Sequence, residues 1–341
     1  MKNHYWNSKG GRLRENKGNH ETRSAPALRF IDLFCGIGGF HLAAHSLGWR
    51  CEMASDIDDE ARRTYERNFG LKPLGDIHQI PASSIPDHDV LLAGFPCQPF
   101  SIIGEGKGFN DARGTLFFEI ARIIKEKKPR AFVLENVRRL VSHDDGKTLS
   151  AILKTLTKLG YKTSWRVLNA LDFGLPQKRE RILIVGSLED IKFEWPSGGA
   201  PMKPLAEILE KNVDSKHFAS EKIVKSRIAA HKSKFSPAIW HENKGGHVSS
   251  YPFSCALRAG ASYNYLLVDG KRRLTPREML RLQGFPDTYK IVSNDSQARK
   301  QAGNSVAVPV IRAVLERLDK ALAPAKSPSK KTINTRDMAL A

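Results

Sequence analysis

Between residues 28 and 195, short β-rich runs alternate with amphipathic stretches, and few folds can absorb that order. The β-like runs are 28–34, 51–55, 90–93, 131–134, 164–168 and 181–185, with helix-like segments between them, among them 116–125 and 148–159. Strands separated by helices predict βαβ units and a largely parallel sheet, an α/β fold. The alternation disappears over 196–270. That stretch has ten Lys or Arg against six acids and four of the eleven histidines, and it reads as a separate, smaller module. A helix start returns at Thr275-Pro276-Arg277-Glu278, with a Thr cap, Pro at the first helical position and Glu three after the cap. A further helical stretch is expected over 306–322. No internal repeat is present, which excludes a solenoid.

Charge bears on the partner. The formal net charge is +19 over 341 residues, of which 1–27 carry +4 and 324–341 carry +3. Both ends lack an apolar period and read as mobile tails, so +12 belongs to the folded middle. Such a field favours a polyanion, which makes nucleic acid the first candidate and a merely basic surface the alternative. Apolar runs such as 182–185 and 306–311 fall far short of the ~20 residues a bilayer crossing needs. Residues 1–20 are polar and basic, without the apolar core of a secretion signal, so the expected home is the cytosol. Cys35, Cys51, Cys97 and Cys255 include no Cys-x-x-Cys pair, so neither a disulfide scaffold nor a metal site is expected.

Phe30-Ile31-Asp32-Leu33-Phe34-Cys35-Gly36-Ile37-Gly38-Gly39-Phe40 is an apolar strand running into a glycine turn, and such a turn lets a cofactor approach bare backbone. A dinucleotide fingerprint needs a third glycine where His41 stands, so a nicotinamide site fails there. Asp56 follows twenty residues after Gly36, where an acid can accept both ribose hydroxyls. Adenosine without a pyrophosphate fits both observations; a tight turn that binds nothing is the alternative.

Gly94-Phe95-Pro96-Cys97-Gln98-Pro99-Phe100-Ser101 places Cys97 at the carboxyl edge of a strand, the edge along which open α/β sheets bind ligands. A solitary Cys is usually a small buried hydrophobe. Here Pro96 and Pro99 cannot continue a sheet ladder, and they predict an irregular rim loop that aims the thiol outward. Glu135-Asn136-Val137 ends the next strand in the same way. A carboxylic acid near a thiol at a cofactor-lined rim points to covalent catalysis with an acid partner.

These residues resemble a family. Phe34-Cys35-Gly36-Ile37-Gly38-Gly39, Gly75-Asp76-Ile77, Pro96-Cys97-Gln98, Arg113-Gly114-Thr115-Leu116, Glu135-Asn136-Val137, Gln177-Lys178-Arg179-Glu180-Arg181 and Gly303-Asn304-Ser305-Val306 follow the motif order of the cytosine-C5 DNA methyltransferases. The resemblance covers roughly 28–198 and 268–322. It implies a Rossmann-like, S-adenosylmethionine-dependent methyltransferase sheet and a covalent mechanism without metal. Cys97 would attack C6 of cytosine, and Glu135, as a neutral acid or sharing a proton, would stabilise density on N3. Arg179 and Arg181, two apart as a strand begins, would share a face and hold Glu135, the ring carbonyl or a phosphate. Without the resemblance they read as a solvated charge cluster. The methyl group passes from S-adenosylmethionine to C5, and loss of the C5 proton expels Cys97.

The target nucleotide must leave the duplex, and the glycine-rich segment 102–110 has the composition of a lid. Ile103 stands where a small polar residue can occur in relatives. For the cofactor, the resemblance implies Phe34, Gly36 and Gly38 at the turn, Asp56 on the ribose, Asp76 and Ile77 at the adenine edge, Pro96 and Leu116 on the wall, and Asn304 and Val306 from the returning segment. Ile57 replaces an aromatic that some members place beside the adenine.

Residues 28–198 and 272–323 would then form the catalytic domain, with 199–271 as a small, mostly β or irregular target-recognition domain and 1–27 and 324–341 as tails. Direct readout favours Arg, Lys, Asn and Gln at groove edges, so Lys244, His247, Arg258 and Asn264 are candidate DNA contacts, together with Ser101 in the cysteine loop. His247, after Gly245-Gly246, resembles a residue that fills the gap left by a flipped base; an exposed hairpin histidine is the alternative. Ala256-Leu257 stands where many members have Thr-Leu. The expected enzyme is a monomer acting on double-stranded DNA in a bacterial cytosol or nucleoid, as the modification partner of a type II restriction endonuclease or as an orphan. The rivals are a transfer-RNA methyltransferase of the same fold, whose Cys-Phe-Thr stretch is absent, and an inactive DNA-binding regulator.

Overall fold

A computed structural model describes residues 27–95 and 116–323. Pro96, Cys97, Ser101, the segment 102–110 and Arg113-Gly114-Thr115 lie outside the described residues, as do 1–26 and 324–341. The central sheet has six strands: β1 (Arg29–Leu33), β2 (Arg50–Ser55), β3 (Val90–Gly94), β4 (Ala131–Val137), β5 (Lys162–Asn169) and β7 (Glu180–Ser187), the two-residue β6 (Gln177–Lys178) lying outside it. Their order is β2-β1-β3-β4-β7-β5. Each sequence-predicted strand is present, within two residues at its start and three at its end.

Side chains alternate between two cores. Phe30, Leu92, Val133 and Leu183 face one, with Ala43 and Ala44 of α1 (Gly39–His45) and Ile311, Val314 and Leu318 of α9 (Val308–Leu322). Ile31, Leu91, Leu134 and Ile184 face the other, with Ile120 and Ile124 of α3 (Leu116–Lys127) and Ile152 and Leu156 of α4 (Lys147–Lys158). Helices on both faces explain why these strands read as near-continuous apolar runs. The sheet order reverses between β1 and β3, and open α/β sheets bind ligands in the crevice beyond the carboxyl ends at such a point.

The sheet is parallel through β2-β1-β3-β4, but β7 runs antiparallel to both neighbours. The largely parallel expectation holds, with β7 the one strand that runs against the other five. Reversal carries the amino end of β7 to the carboxyl edge of β4, with Val137 opposite Arg181. At the other edge, Arg130 Nη2 donates to the Leu322 carbonyl at 2.9 Å, and Asp89 pairs with Arg29 and receives its backbone N–H.

α2 (Asp59–Phe69) packs beside the glycine turn. The stretch 199–271 holds α5 (Leu205–Ile208), α6 (Glu221–Ala230), β10 (Ser254–Cys255) and a three-stranded antiparallel sheet, β11-β8-β9, made of β8 (Ile239–Glu242), β9 (Val248–Tyr251) and β11 (Leu266–Val268). Its private core is Ala238, Trp240 and Val248; Ile239, Leu257 and Tyr265 belong to the larger core with Val306 and Ile311. β10 pairs with β6, which joins the segment to the catalytic part of the chain at Gln177, just before β7. The chain returns through α7 (Pro276–Leu282), whose Thr275 and Glu278 form the predicted capping box, and α8 (Asp295–Asn304).

Candidate active site

The glycine turn follows β1, with left-handed backbone at Phe34, Gly36 and Gly38 (φ 55, 52 and 79). For Phe34 that conformation costs on the order of 1 kcal/mol, a strain found at ligand clamps. The surroundings enforce it. Asp56, just past β2, accepts the Gly36 N–H on Oδ2 and the Asp58 N–H on Oδ1, both at 2.8 Å. The acid expected on the ribose thus also fixes the turn, and a carboxylate retains acceptor capacity after two such bonds.

Of the three glycines in the turn, Gly36 and Gly38 do different work. A Cβ at Gly36 would meet nothing within 4 Å, whereas one at Gly38 would lie 2.2 Å from the Phe69 ring. Gly36 opens onto the cavity. Gly38 does not line it, and its place among the cofactor contacts is corrected to a packing position. His41 stacks on Phe69 at 4.0 Å and shares a 2.5 Å hydrogen bond between Nδ1 and the Tyr65 hydroxyl. Burial pushes its pKa down to about 3, so it stays a neutral ring filling the place of the missing third glycine.

Glu135, in β4 at the carboxyl edge, is buried, and its Oε1 lies 3.0 Å from Arg181 Nε. Burial raises the Glu135 pKa above the usual carboxylate range, against the pull of Arg181 and then Arg179. Arg179 lines the same cavity but bonds elsewhere. Its guanidinium, 2 % exposed, donates to the carbonyls of Leu257 (3.1 Å), Gly303 (3.2 Å) and Ser305 (2.5 Å). The reading of Arg179 as a hand on Glu135 is therefore corrected. Arg181 holds the acid, and Arg179 ties segments 257 and 303–305 to the strand. Burial, with repulsion from Arg181, lowers the Arg179 pKa to about 9. Asn136 Nδ2 donates to the Phe95 carbonyl at 2.9 Å and so anchors the last described residue before Cys97.

One cavity of about 590 Å³ gathers Phe34, Gly36, Asp56, Asp76, Ile77, Leu116, Glu135, Arg179, Arg181, Asn304 and Val306. Asp76 caps a short turn, its Oδ1 accepting the His78 N–H at 3.0 Å, and the adjacent His78 ring holds its carboxyl below the usual range. Arg122 of α3 supports that edge by donating to the Ile77 and Ile80 carbonyls at 3.2 and 3.0 Å. Ile57 sits exposed at the mouth. Sequence reasoning missed Lys300 and Gln301, which line the cavity from α8; Lys300 pairs with Asp58 at 2.6 Å across its mouth. Their spacing from Asn304, one turn away on the same helix, is the signal that would have found them. The carboxylates, bare glycine backbone and apolar wall suit an adenosine-bearing cofactor. Among the described residues, no group of three His, Cys, Asp or Glu is placed to hold a metal ion, and no helix is long and apolar enough to cross a membrane.

The expected DNA contacts divide. Lys244 and His247 are exposed on the β8–β9 hairpin tip, which Asn243 Oδ1 closes by accepting the N–H groups of Gly245 (2.9 Å) and His247 (3.0 Å). Arg258 is exposed on the loop before β11. Asn264 is half-buried, and its Oδ1 is shut off from solvent, which leaves only its amide nitrogen for a groove-edge role. Leu266 pairs with His241, and Glu242 donates its N–H to the Tyr265 carbonyl at 3.0 Å, so tip 243–247 and loop 258–265 leave the same end of the small sheet.

Known proteins resemble this chain over most of its length. The profile of the family described as C-5 cytosine-specific DNA methylase matches residues 28–320. The type II methyltransferase M.NgoBI of Neisseria gonorrhoeae is 56% identical over 303 residues, 88% of this chain and 95% of that protein. M.HaeII of Haemophilus aegyptius is 56% identical over 287 residues, covering 83% and 90%. In fold, a crystal structure of a Spodoptera frugiperda DNMT2 mutant superposes with a TM-score of 0.68 at 21% identity, over 86% of this chain and 100% of that one.

Proposed function

This chain belongs to the C-5 cytosine-specific DNA methylases, and on that premise we propose that its catalytic rim works through Cys97, Glu135 and Arg181. The enzyme is a sequence-specific DNA cytosine-C5 methyltransferase that uses S-adenosylmethionine. The observation that carries the assignment of roles is the buried Glu135–Arg181 pair, set within one cavity beside the glycine turn.

C5 of cytosine is a poor nucleophile until a nucleophile adds at C6. Cys97 is assigned that addition: its thiolate forms the S–C6 bond, and the ring electrons move toward N3. Glu135, whose pKa burial raises, is assigned as the acid that donates its proton to N3 or shares one with it. Arg181 orients the acid through Oε1 and supplies positive charge where the ring gains electrons. S-adenosylmethionine supplies an electrophilic methyl group to C5 when bound. A base then removes the C5 proton, the S–C6 bond breaks, Glu135 recovers its proton, and Cys97 departs as thiolate. Asp56, Asp76 and Asn304 are assigned to the cofactor. Lys244, His247 and Arg258 are assigned to the DNA, and Ser101 keeps the same assignment from the sequence.

The stretch 199–271 serves as the target-recognition segment in this reading. The protein acts as a monomer in the compartment that holds bacterial DNA, paired with a restriction endonuclease of matching target. Incubation with plasmid DNA and labelled S-adenosylmethionine, followed by deamination sequencing, tests the reading. Methylated cytosines confined to one short word are expected; label without a common word overturns the recognition role.

A further inference from the structure

The loop 258–265 begins Arg258-Ala259-Gly260-Ala261, a run with few side chains able to pack the loop onto itself, so its pose must be set from outside. Two arginines supply that support. Arg227 of α6, buried, donates Nη2 to Glu242 Oε2 at 2.5 Å and to the Asn264 carbonyl at 3.0 Å, which joins the feet of the two loops. Arg299 of α8 holds the crown. Its Nη2 donates to the carbonyls of Ala261 and Ser262, the latter at 3.0 Å, and its guanidinium lies 4.4 Å from the centre of the Tyr263 ring. Arg258, 4.7 Å over the Tyr265 ring, donates its backbone N–H to the Tyr265 hydroxyl at 3.0 Å. The helix also presses directly on the loop: a Cβ at Gly303 would lie 2.4 Å from the Ala259 nitrogen.

We propose that Arg299 is a positioning residue for target choice, clamping loop 258–265 so that Arg258 and Tyr263 meet the DNA in one pose. A planar guanidinium can bond two carbonyls while stacking on an aromatic ring; an ammonium cannot reproduce that geometry. A loop held in its binding pose before contact loses less freedom on binding, and the gain goes to the target that fits the pose. The helix that carries the clamp also lines the cofactor cavity through Lys300, Gln301 and Asn304, so the loop is referenced to the chemistry by a single rigid element. The inference rests on the reading that this loop faces DNA.

The test first takes the target word from the wild-type methylation map. It then compares kcat/KM on duplexes carrying that word with duplexes changed at one base pair outside the target cytosine. Arg299→Ala is expected to lower this discrimination by about tenfold, with Arg299→Lys between it and the wild type and KM for S-adenosylmethionine within about twofold of wild type. Undiminished discrimination in folded Arg299→Ala overturns the proposal; should that variant not fold, undiminished discrimination in Arg299→Lys does so. Arg258→Ala separates the two possible failures. If it alters the map while Arg299→Ala does not, the clamp is wrong and the loop's DNA role stands. If neither alters it, the loop's DNA role has failed as well.

Discussion

The catalytic rim and the paired loops of the small sheet are held in place by different means. At the rim, strands buried on both faces fix the backbone, and the functional groups are tied by short bonds to neighbouring strands and turns: Asp56 to Gly36, Asn136 to Phe95, Glu135 to Arg181. The loops project from strands of three or four residues; Asn243 closes the hairpin tip from within, and loop 258–265 takes its pose from Arg227 and Arg299 of other elements. On the proposed reading, chemistry is anchored on a sheet buried on both faces and target choice rests on a few long side chains. The first arrangement tolerates little change; the second can be altered locally without disturbing the reaction.

The sharpest challenge to that contrast is Cys97→Ser, which should abolish methyl transfer while calorimetric binding of S-adenosylmethionine persists. Unimpaired transfer would refute the nucleophile assignment. Next comes Glu135→Gln, for which kcat should fall by about 10²- to 10⁴-fold in single-turnover assays. Because burial raises the Glu135 pKa, its proton is retained at pH values where a surface carboxylate has lost it, and the wild-type rate should decline as pH rises through that raised value. A similar decline in Glu135→Gln would assign the titration to another group.

Gly38→Ala should cost about 1–3 kcal/mol in denaturant unfolding, since the added methyl enters the Phe69 ring. Gly36→Ala has room for the methyl but keeps the left-handed backbone, so it should cost only the strain of about 1 kcal/mol, less than Gly38→Ala, while weakening cofactor binding. Equal unfolding costs for the two would break the distinction drawn within the turn. The mildest expectation concerns the loops: His247→Ala should shift unfolding by no more than about 0.5 kcal/mol yet reduce kcat/KM on cognate DNA. Unchanged kinetics would remove the hairpin tip from the DNA contacts.

The sequence made the rim legible because its signals are local. Glycines, prolines and acids follow apolar runs at strand ends, and a strand end is where a sheet presents its groups. The direction of β7 was not legible, since Ile182-Leu183-Ile184-Val185 carries the same apolar pattern whichever way it runs. Arg179 was misread for a related reason: its acceptors at 257, 303 and 305 are backbone carbonyls, which no residue type advertises. Asn264 looked like a groove reader by composition, but its loop turns the amide oxygen inward. Arg299, within a polar helix, gave no sign that Tyr263 and two carbonyls lay beneath it.

The bond from Arg130 to the Leu322 carbonyl and the pairing of Arg29 with Asp89 set the start of β1 and the end of α9 at the amino edge of the sheet, opposite the rim. A tag or effector domain fused after α9 would begin on the side of the sheet away from the reacting base. A linker from the end of α9 to the start of β1, replacing residues 1–27 and 324–341, with new termini opened in an exposed surface turn, would give a circular permutant joined on the side away from the rim.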